Sequence, residues 1–262
     1  MKKINYFLFI FLLFFACDNV LELGDNTFYY KELFKENLDY MNMPRPTDSY
    51  NYPIYPGMTE WANFATGQQM VDACQIPKNT LSKMSTQAII QAIWEYPLLH
   101  EIFHRYQYQS DLVSLFSTNN AYVELTQRKD AGSALFERLT LVDPLTPAPR
   151  LESQLLELLI SQTVFLSQLK NDEKRKIVEI AFYSDDIRQN ASMSLDHNII
   201  AWLLIGRTMI STVYSPFVEV VNKSEQFKLF LNGNDGYTYM EQIIGDIPQE
   251  ITNYGKIFLD NK

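Results

Sequence analysis

The 262-residue sequence is poor in the residue types that most often carry catalysis or cross-links, with three histidines, two cysteines and nine glycines. Two cysteines cannot form a disulfide framework, and no Cys-x-x-Cys pair is present to bind zinc through thiolates. The glycines form no P-loop, no G-x-G-x-x-G and no G-x-S-x-G sequence. The usual carriers of nucleotide binding, dinucleotide binding and acyl transfer are therefore missing.

Positive charge is also scarce, since 22 Lys and Arg stand against 31 Asp and Glu, for a net charge of −9. Binding to a phosphate backbone depends on concentrated positive charge, so we expect no nucleic-acid partner. Long apolar runs are missing too, because the run at 4–15 is shorter than the roughly 20 residues that cross a bilayer. The 47% hydrophobic content is still ample for a buried core.

The N-terminus has the layout of a secretory signal. Lys2 and Lys3 provide a cationic start, 4–15 is almost wholly apolar, and Ala16 provides a small residue before Cys17. A charged start, an apolar stretch of about 7 to 15 residues and a small residue at the cleavage point define such signals. The sequence therefore predicts a cleaved signal peptide at 1–16.

The sequence Leu13-Phe14-Phe15-Ala16-Cys17 resembles the lipobox of bacterial lipoproteins, with Phe14 in place of the usual Leu. The resemblance implies that Cys17 becomes the acylated, palmitate-bearing N-terminus. It also implies a lipid-anchored protein of the bacterial cell envelope, with the outer membrane favoured over the inner. Loss of Lys2 and Lys3 would change the net charge from −9 to −11. Acyl chains, and not attraction to anionic lipids, would then hold the protein at the membrane.

The predicted mature chain divides into a spacer at 17–56 and a helical domain at 57–262. The spacer is acidic, then rich in proline and tyrosine, with one short helix expected at 29–40. Its run from Tyr50 to Pro56 has two interpretations, a carbohydrate-binding aromatic cluster or a strip packed along the following domain. The packed strip is the favoured one.

The pattern from Gly57 onward predicts an all-α domain, an irregular array of short antiparallel helices. The predicted segments are 59–74 with a break at Gly67, 86–96, 120–128, 130–142, 151–169, 172–182, 196–213, 216–231 and 237–259. Asp130, Asp172 and Asp196 are the expected N-caps. The proline-rich loop at 143–150 is a possible subdivision.

Individual residues within this domain carry further expectations. The apolar segment 151–169 is expected at the centre of the array. Cys74 is expected to be a small buried hydrophobic residue and not a nucleophile. Asp185 and Asp186 are expected in a solvated polar loop.

One motif carries chemistry: His100-Glu101-Ile102-Phe103-His104 fits H-E-x-x-H. On a helix this spacing sets two imidazoles one turn apart to bind Zn²⁺, with Glu101 as the catalytic base of a metallopeptidase. His100 and His104 face away from the apolar stripe, which suits a zinc helix and two ordinary surface histidines equally well. A third ligand would have to be His197 or a carboxylate such as Glu124.

The region 55–135 resembles an uncharacterised family of predicted bacterial lipoproteins. The residues that carry this resemblance are Glu60-Trp61-Ala62, Gln75-Ile76-Pro77, Lys83-Met84-Ser85-Thr86, Tyr96-Pro97 and Arg128-Lys129-Asp130-Ala131-Gly132. The family implies no established activity and no zinc motif. The expected function is thus a non-enzymatic interaction or scaffold role in the envelope, with a protein partner, no catalytic residue and no cofactor; the alternative is a zinc metallopeptidase.

Overall fold

The computed structural model describes residues 44–99, 116–145, 147–191, 195–232 and 246–261, without the side chains of 147–148 and 195–197. The described regular structure is entirely α-helical, which confirms the predicted all-α class. The helices are α1 Thr59–Ala62, α2 Gly67–Ala73, α3 Lys78–Leu81, α4 Thr86–Trp94, α5 Asn120–Gln127, α6 Ala131–Leu139, α7 Pro147–Ile160, α8 Thr163–Leu166, α9 Asn171–Asn190, α10 Leu195–Ser211, α11 Ser215–Lys223, α12 Glu225–Asn232 and α13 Ile247–Asp260.

Short polar side chains set the starts of three early helices. Thr66, Ser85 and Asn119 precede α2, α4 and α5, and each side-chain oxygen accepts a hydrogen bond from a backbone N–H of the first turn. Such caps satisfy backbone donors that have no partner inside the helix. Gly67 begins α2, so the predicted break in 59–74 is confirmed.

None of the three aspartates predicted as N-caps is a capping residue in the structure. Asp130 precedes α6, but its carboxylate accepts from Thr86 Oγ1 at 2.9 Å and so joins α6 to α4 instead of capping. Asp172 and Asp196 lie inside α9 and α10, so the prediction that they are N-caps was wrong. At the start of α9 it is Glu173 that reaches back, accepting from the backbone N–H of Lys170 at 2.8 Å.

Two predicted helices are each divided in the structure. The segment 151–169 separates into α7 and α8 at Gln162, whose backbone is extended and whose side chain donates to the Leu158 carbonyl at 3.0 Å. The segment 216–231 separates into α11 and α12 at Ser224, whose backbone is also extended and whose Oγ accepts from Phe227 N at 3.3 Å. In both places a polar side chain bonds to the backbone and competes with continuation of the helix.

The α9 helix continues to Asn190, past the predicted end at 182, and carries Asp185 and Asp186 within it. The expectation that this pair lies in a solvated loop was wrong. Tyr183, Ile187 and Arg188 are buried in the same stretch, so packing extends the helix where the polar sequence suggested a loop.

The buried apolar side chains form one core that runs from Tyr52 to Phe258. α10 lies at its centre and packs against α9, α13 and α7, while α4 packs against α5 and α6. α7 and α8 contribute the expected buried leucines, although Val164 is exposed. The centre of the fold therefore includes α10 as well as the predicted 151–169 segment.

Glycine allows the closest approach between α6 and α8. A Cβ at Gly132 would lie 2.5 Å from the backbone oxygen of Phe165. The Gln168 side chain accepts from Gly132 N at 2.8 Å and donates to Arg128 O at 3.1 Å. One amide side chain thus joins both ends of the 128–132 motif to the chain that follows α8.

Residues 44–56, which we term the strap, pack onto α4. Tyr52 is buried and donates from its hydroxyl to Ala92 O at 3.1 Å. Arg45 donates to both carboxylate oxygens of Glu95, at 2.8 and 2.7 Å, and Asp48 accepts from Ser85 N at 2.6 Å. The predicted packing of the tyrosine-rich strip is confirmed, and the described end of the predicted spacer belongs to the folded domain.

Candidate functional site

The residues singled out for lipidation and zinc binding lie mostly outside the described part of the chain. This applies to Cys17 and to His100, Glu101 and His104. His197 lies on α10, but its side chain is among those that the structure does not describe. These predictions therefore stay predictions.

Glu124, the carboxylate candidate for a third zinc ligand, is described. It lies on α5 and accepts from Arg128 Nε at 2.8 Å, in an ion pair one helical turn apart. A carboxylate neutralised in this way would have to leave Arg128 before it could bind a metal. The ion pair with Arg128 therefore gives no support to Glu124 as a zinc ligand.

Cys74 is buried beneath the strap, in the same core as Tyr52 and Tyr96. Burial raises the pKa of its thiol to about 11, so little nucleophilic thiolate exists at neutral pH. The expectation that Cys74 is a small buried hydrophobic residue is confirmed.

The most notable polar feature is an ion pair between Glu157 on α7 and Arg188 on α9, each with 0% side-chain exposure. Arg188 Nη2 donates to Glu157 Oε2 at 2.5 Å, and Ser153 Oγ donates to Glu157 Oε1 at 3.1 Å. Both oxygens of the buried carboxylate are thus satisfied. Such a pair is strongly coupled, because removing one partner leaves the other charge buried without it.

More charged groups surround this pair on and near α7. Arg138 of α6 donates to Glu152 of α7 at 2.6 Å, and both are buried. Arg150 donates to the carbonyls of Pro144 and Leu145, at 3.0 and 2.8 Å. Burial, with the charge of Arg188, lowers the pKa of Arg150. The array thus has a polar interior alongside its apolar core.

Asp185 lies one turn before Arg188 on α9, facing α10. Its Oδ2 accepts from Gln189 Nε2 at 2.9 Å, and Trp202 of α10 also hydrogen-bonds to the carboxyl group. Its Oδ1 is buried without a hydrogen-bond partner. Burial, reinforced by the charge of Asp186 and opposed by Arg188, raises the pKa of Asp185 to about 6.

Asp185 has one property of a general acid, since a buried carboxyl with a raised pKa is a common catalytic feature. The geometry of this polar interior points to a structural role instead, because its charges are held in two interhelical pairs, Glu157 with Arg188 and Glu152 with Arg138. Within the described ranges, no three or more His, Cys, Asp or Glu side chains are placed to bind one metal ion.

Sequence reasoning missed this interior, although a signal was present. Glu157 stands between Leu155-Leu156 and Leu158-Leu159, in the most apolar predicted helix of the domain. An acidic residue flanked in this way either points to solvent and interrupts the apolar face, or is buried and paired with an opposite charge. No comparable signal identified Arg188 as its partner, because that pairing joins residues 31 positions apart.

One surface feature is an apolar tip, which we define as the exposed side chains of Ile210, Val213 and Ile257 together with the half-buried Tyr214. Val213 is 75% exposed, and it adopts φ 55° in the left-handed region. Asn261 Nδ2 donates to Ile257 O at 2.8 Å and contacts Tyr214 Oη at 3.4 Å, which brings the end of α13 beside the α10–α11 corner. A β-branched residue in this conformation is strained, since a Cβ disfavours the left-handed region.

Among the described residues, no single helix is long and apolar enough to cross a membrane. The helical stretches Asn198–Ser211 and Ser215–Lys223 meet the length and composition requirements only jointly, with a bend of 110° between them.

Comparison with protein families, curated proteins and solved structures gives no match to this chain.

Proposed function

We propose that this chain is a lipid-anchored protein of the bacterial cell envelope whose helical domain acts as a non-enzymatic interaction module. The observation that carries the proposal is the N-terminal sequence: a cationic start, an apolar stretch and a cysteine at the predicted cleavage point. After cleavage, Cys17 would bear the acyl chains. The outer membrane is the favoured location.

The described domain supports an interaction role in two ways. Its buried charges form internal pairs, Glu157 with Arg188 and Glu152 with Arg138, so they are committed to holding helices together. Its apolar tip exposes the aliphatic side chains of Ile210, Val213 and Ile257, whose burial against a partner would be favourable. A partner protein in the envelope is thus the expected ligand.

The two cysteines provide a matched test of the anchor. The full chain and its Cys17→Ser and Cys74→Ser variants are expressed in a bacterium supplied with an alkyne analogue of palmitate. We expect labelling and membrane attachment of the unaltered chain and of Cys74→Ser, with labelled protein in the outer-membrane fraction. Cys17→Ser should lose both properties. Equal labelling of all three chains, or none in any, would contradict acylation at Cys17.

The interaction role is tested with a photo-crosslinking residue placed at Val213 or, as a control, at the exposed Val123 of α5. A partner at the tip should give a discrete crosslinked species in cells from position 213 and not from 123. The same species should disappear when Ile257→Asp is added. Identical patterns from both positions would contradict a partner at the tip.

A further inference from the structure

Asp185 is a buried acid that the proposed function does not use. Its side chain lies in the interface between α9 and α10, and the residue is only 6% exposed. One carboxylate oxygen is bonded to Gln189, while Oδ1 has no hydrogen-bond donor. An ionised carboxylate in such a place would have the donors of Gln189 and Trp202 but none at Oδ1, so the loss of water is only partly offset.

The neighbouring cation is already engaged. Arg188, one turn away on the same helix, hydrogen-bonds to Glu157 of α7, so its charge is largely offset there. Asp186, the next residue, adds negative charge on α9. A charge on Asp185 would therefore be an additional buried negative charge beside a pair that is already balanced.

The other charged groups of the packed helices are held elsewhere. On α7, Glu152 pairs with Arg138 and Arg150 bonds to the carbonyls that precede the helix. Between residues 198 and 211 of α10 the charged side chain is Arg207, which donates to Leu231 O at 2.6 Å. α10 meets Asp185 through the neutral indole of Trp202.

We propose that Asp185 is a buried proton-binding site that sets how tightly α9 packs against α10. As a neutral acid it fits between Gln189 and Trp202 without an isolated charge. As a carboxylate it draws water towards Oδ1 and loosens the hairpin that the two helices form. The inference stands on this geometry and does not depend on the lipid anchor.

The direction of the pH effect follows from linkage. The folded state holds the proton of Asp185 up to a pKa of about 6, whereas the unfolded chain releases it near pH 4. Between these values the folded state binds more protons, so stability falls as pH rises and then levels off above the folded pKa. From pH 4 to pH 7, ionisation of Asp185 should lower the ratio of folded to unfolded protein by about fiftyfold.

The experiment compares urea unfolding of the full chain with that of Asp185→Asn at a series of pH values from 4 to 7.5. Asn has nearly the same shape and cannot ionise, so the fall in stability attributable to position 185 should vanish in the variant. Asp186→Asn is the matched control on the exposed neighbour. It should keep the fall, with its midpoint moved to lower pH because a charge that raises the pKa of Asp185 is gone.

Two direct readings need no Asp185 variant. NMR titration of the Asp185 carboxyl carbon in the unaltered chain should give a midpoint near 6. In a chain with Trp61→Phe and Trp94→Phe, the fluorescence of Trp202 should change with the same midpoint. A carboxyl titration near pH 4, or an equal pH dependence of stability in Asp185→Asn and the unaltered chain, would overturn the proposal.

Discussion

Glu157 and Arg188 pair inside the protein with 0% side-chain exposure on either partner, and the pair joins α7 to α9. Both residues lie among buried aliphatic side chains, so neither charge reaches water. Breaking such a pair is costly because the remaining charge loses its partner while still buried.

Glu157→Gln should therefore destabilise the protein by about 3–5 kcal/mol in urea unfolding. The double change Glu157→Leu with Arg188→Met should be far less destabilising than the sum of the single changes, since it leaves no charge behind. Lys228→Ala is the control. Lys228 and its partner Glu225 form an exposed ion pair, so the loss of stability on removing it should stay below about 1 kcal/mol. Additive effects of the single changes at 157 and 188 would show that the two charges are not coupled.

Gly132→Ala should destabilise the protein by about 1–3 kcal/mol, because the added Cβ would approach the Phe165 carbonyl oxygen to 2.5 Å and push α6 from α8. Backbone cannot rotate aside as a flexible side chain can. Gly67→Ala is the matched control, since a Cβ there meets no atom within 4 Å. Thermal unfolding of both variants provides the comparison, and equal effects would show that the α6–α8 contact is looser than described.

Val213→Gly should stabilise the protein by about 0.5–1 kcal/mol, although it removes a side chain. Tyr214 N donates to Met209 O at 3.0 Å, the closing bond of a helix end that favours glycine at the preceding residue. Val123→Gly, within α5, should have the opposite sign, with a loss of about 0.5–1 kcal/mol. Urea unfolding measures the change in the free energy of unfolding for both variants. Destabilisation by Val213→Gly would mean that contacts of the valine outweigh its strain.

Zinc analysis of the purified full chain should give the same metal content as a His100→Ala, His104→Ala double variant. The expectation follows from the proposed non-enzymatic role and from the ion pair that holds Glu124 against Arg128. Two imidazoles need a third protein ligand to make the usual catalytic zinc site, and Arg128 already engages Glu124. Stoichiometric zinc in the unaltered chain alone would favour the metallopeptidase, and peptide hydrolysis lost in Glu101→Gln would then establish it.

Helix positions were the most predictable part of this fold. The starts at Gly67, Thr86 and Asn120 follow from a glycine break and from capping residues, all of which are local signals. The divisions at Gln162 and Ser224 were missed because the apolar pattern continues across them. The extension of α9 past 182 was missed because it depends on packing against α10, and a polar sequence carries no sign of such packing.

The polar interior was harder to predict than the helices. Cys74 could be placed in the core from its apolar neighbours. The partners of Glu157 and Arg138 could not, nor could the contact of Asp185 with Trp202, because each joins helices whose relative position the sequence does not encode locally. For Asp185, adjacent acids suggested solvent exposure, and only the position of Trp202 reveals that one of them is buried.

The strap has a mechanical consequence for the domain. Within the described residues, a pull on the N-terminal end of the strap reaches Arg45, with its two hydrogen bonds to Glu95, before it reaches the buried Tyr52 ring. The load would then run along α4, which lies next to α5 and α6, and not into the short α1. A force applied through the strap would therefore be carried by α4 and the helices that pack against it, so the short α1 could bend without disturbing the core.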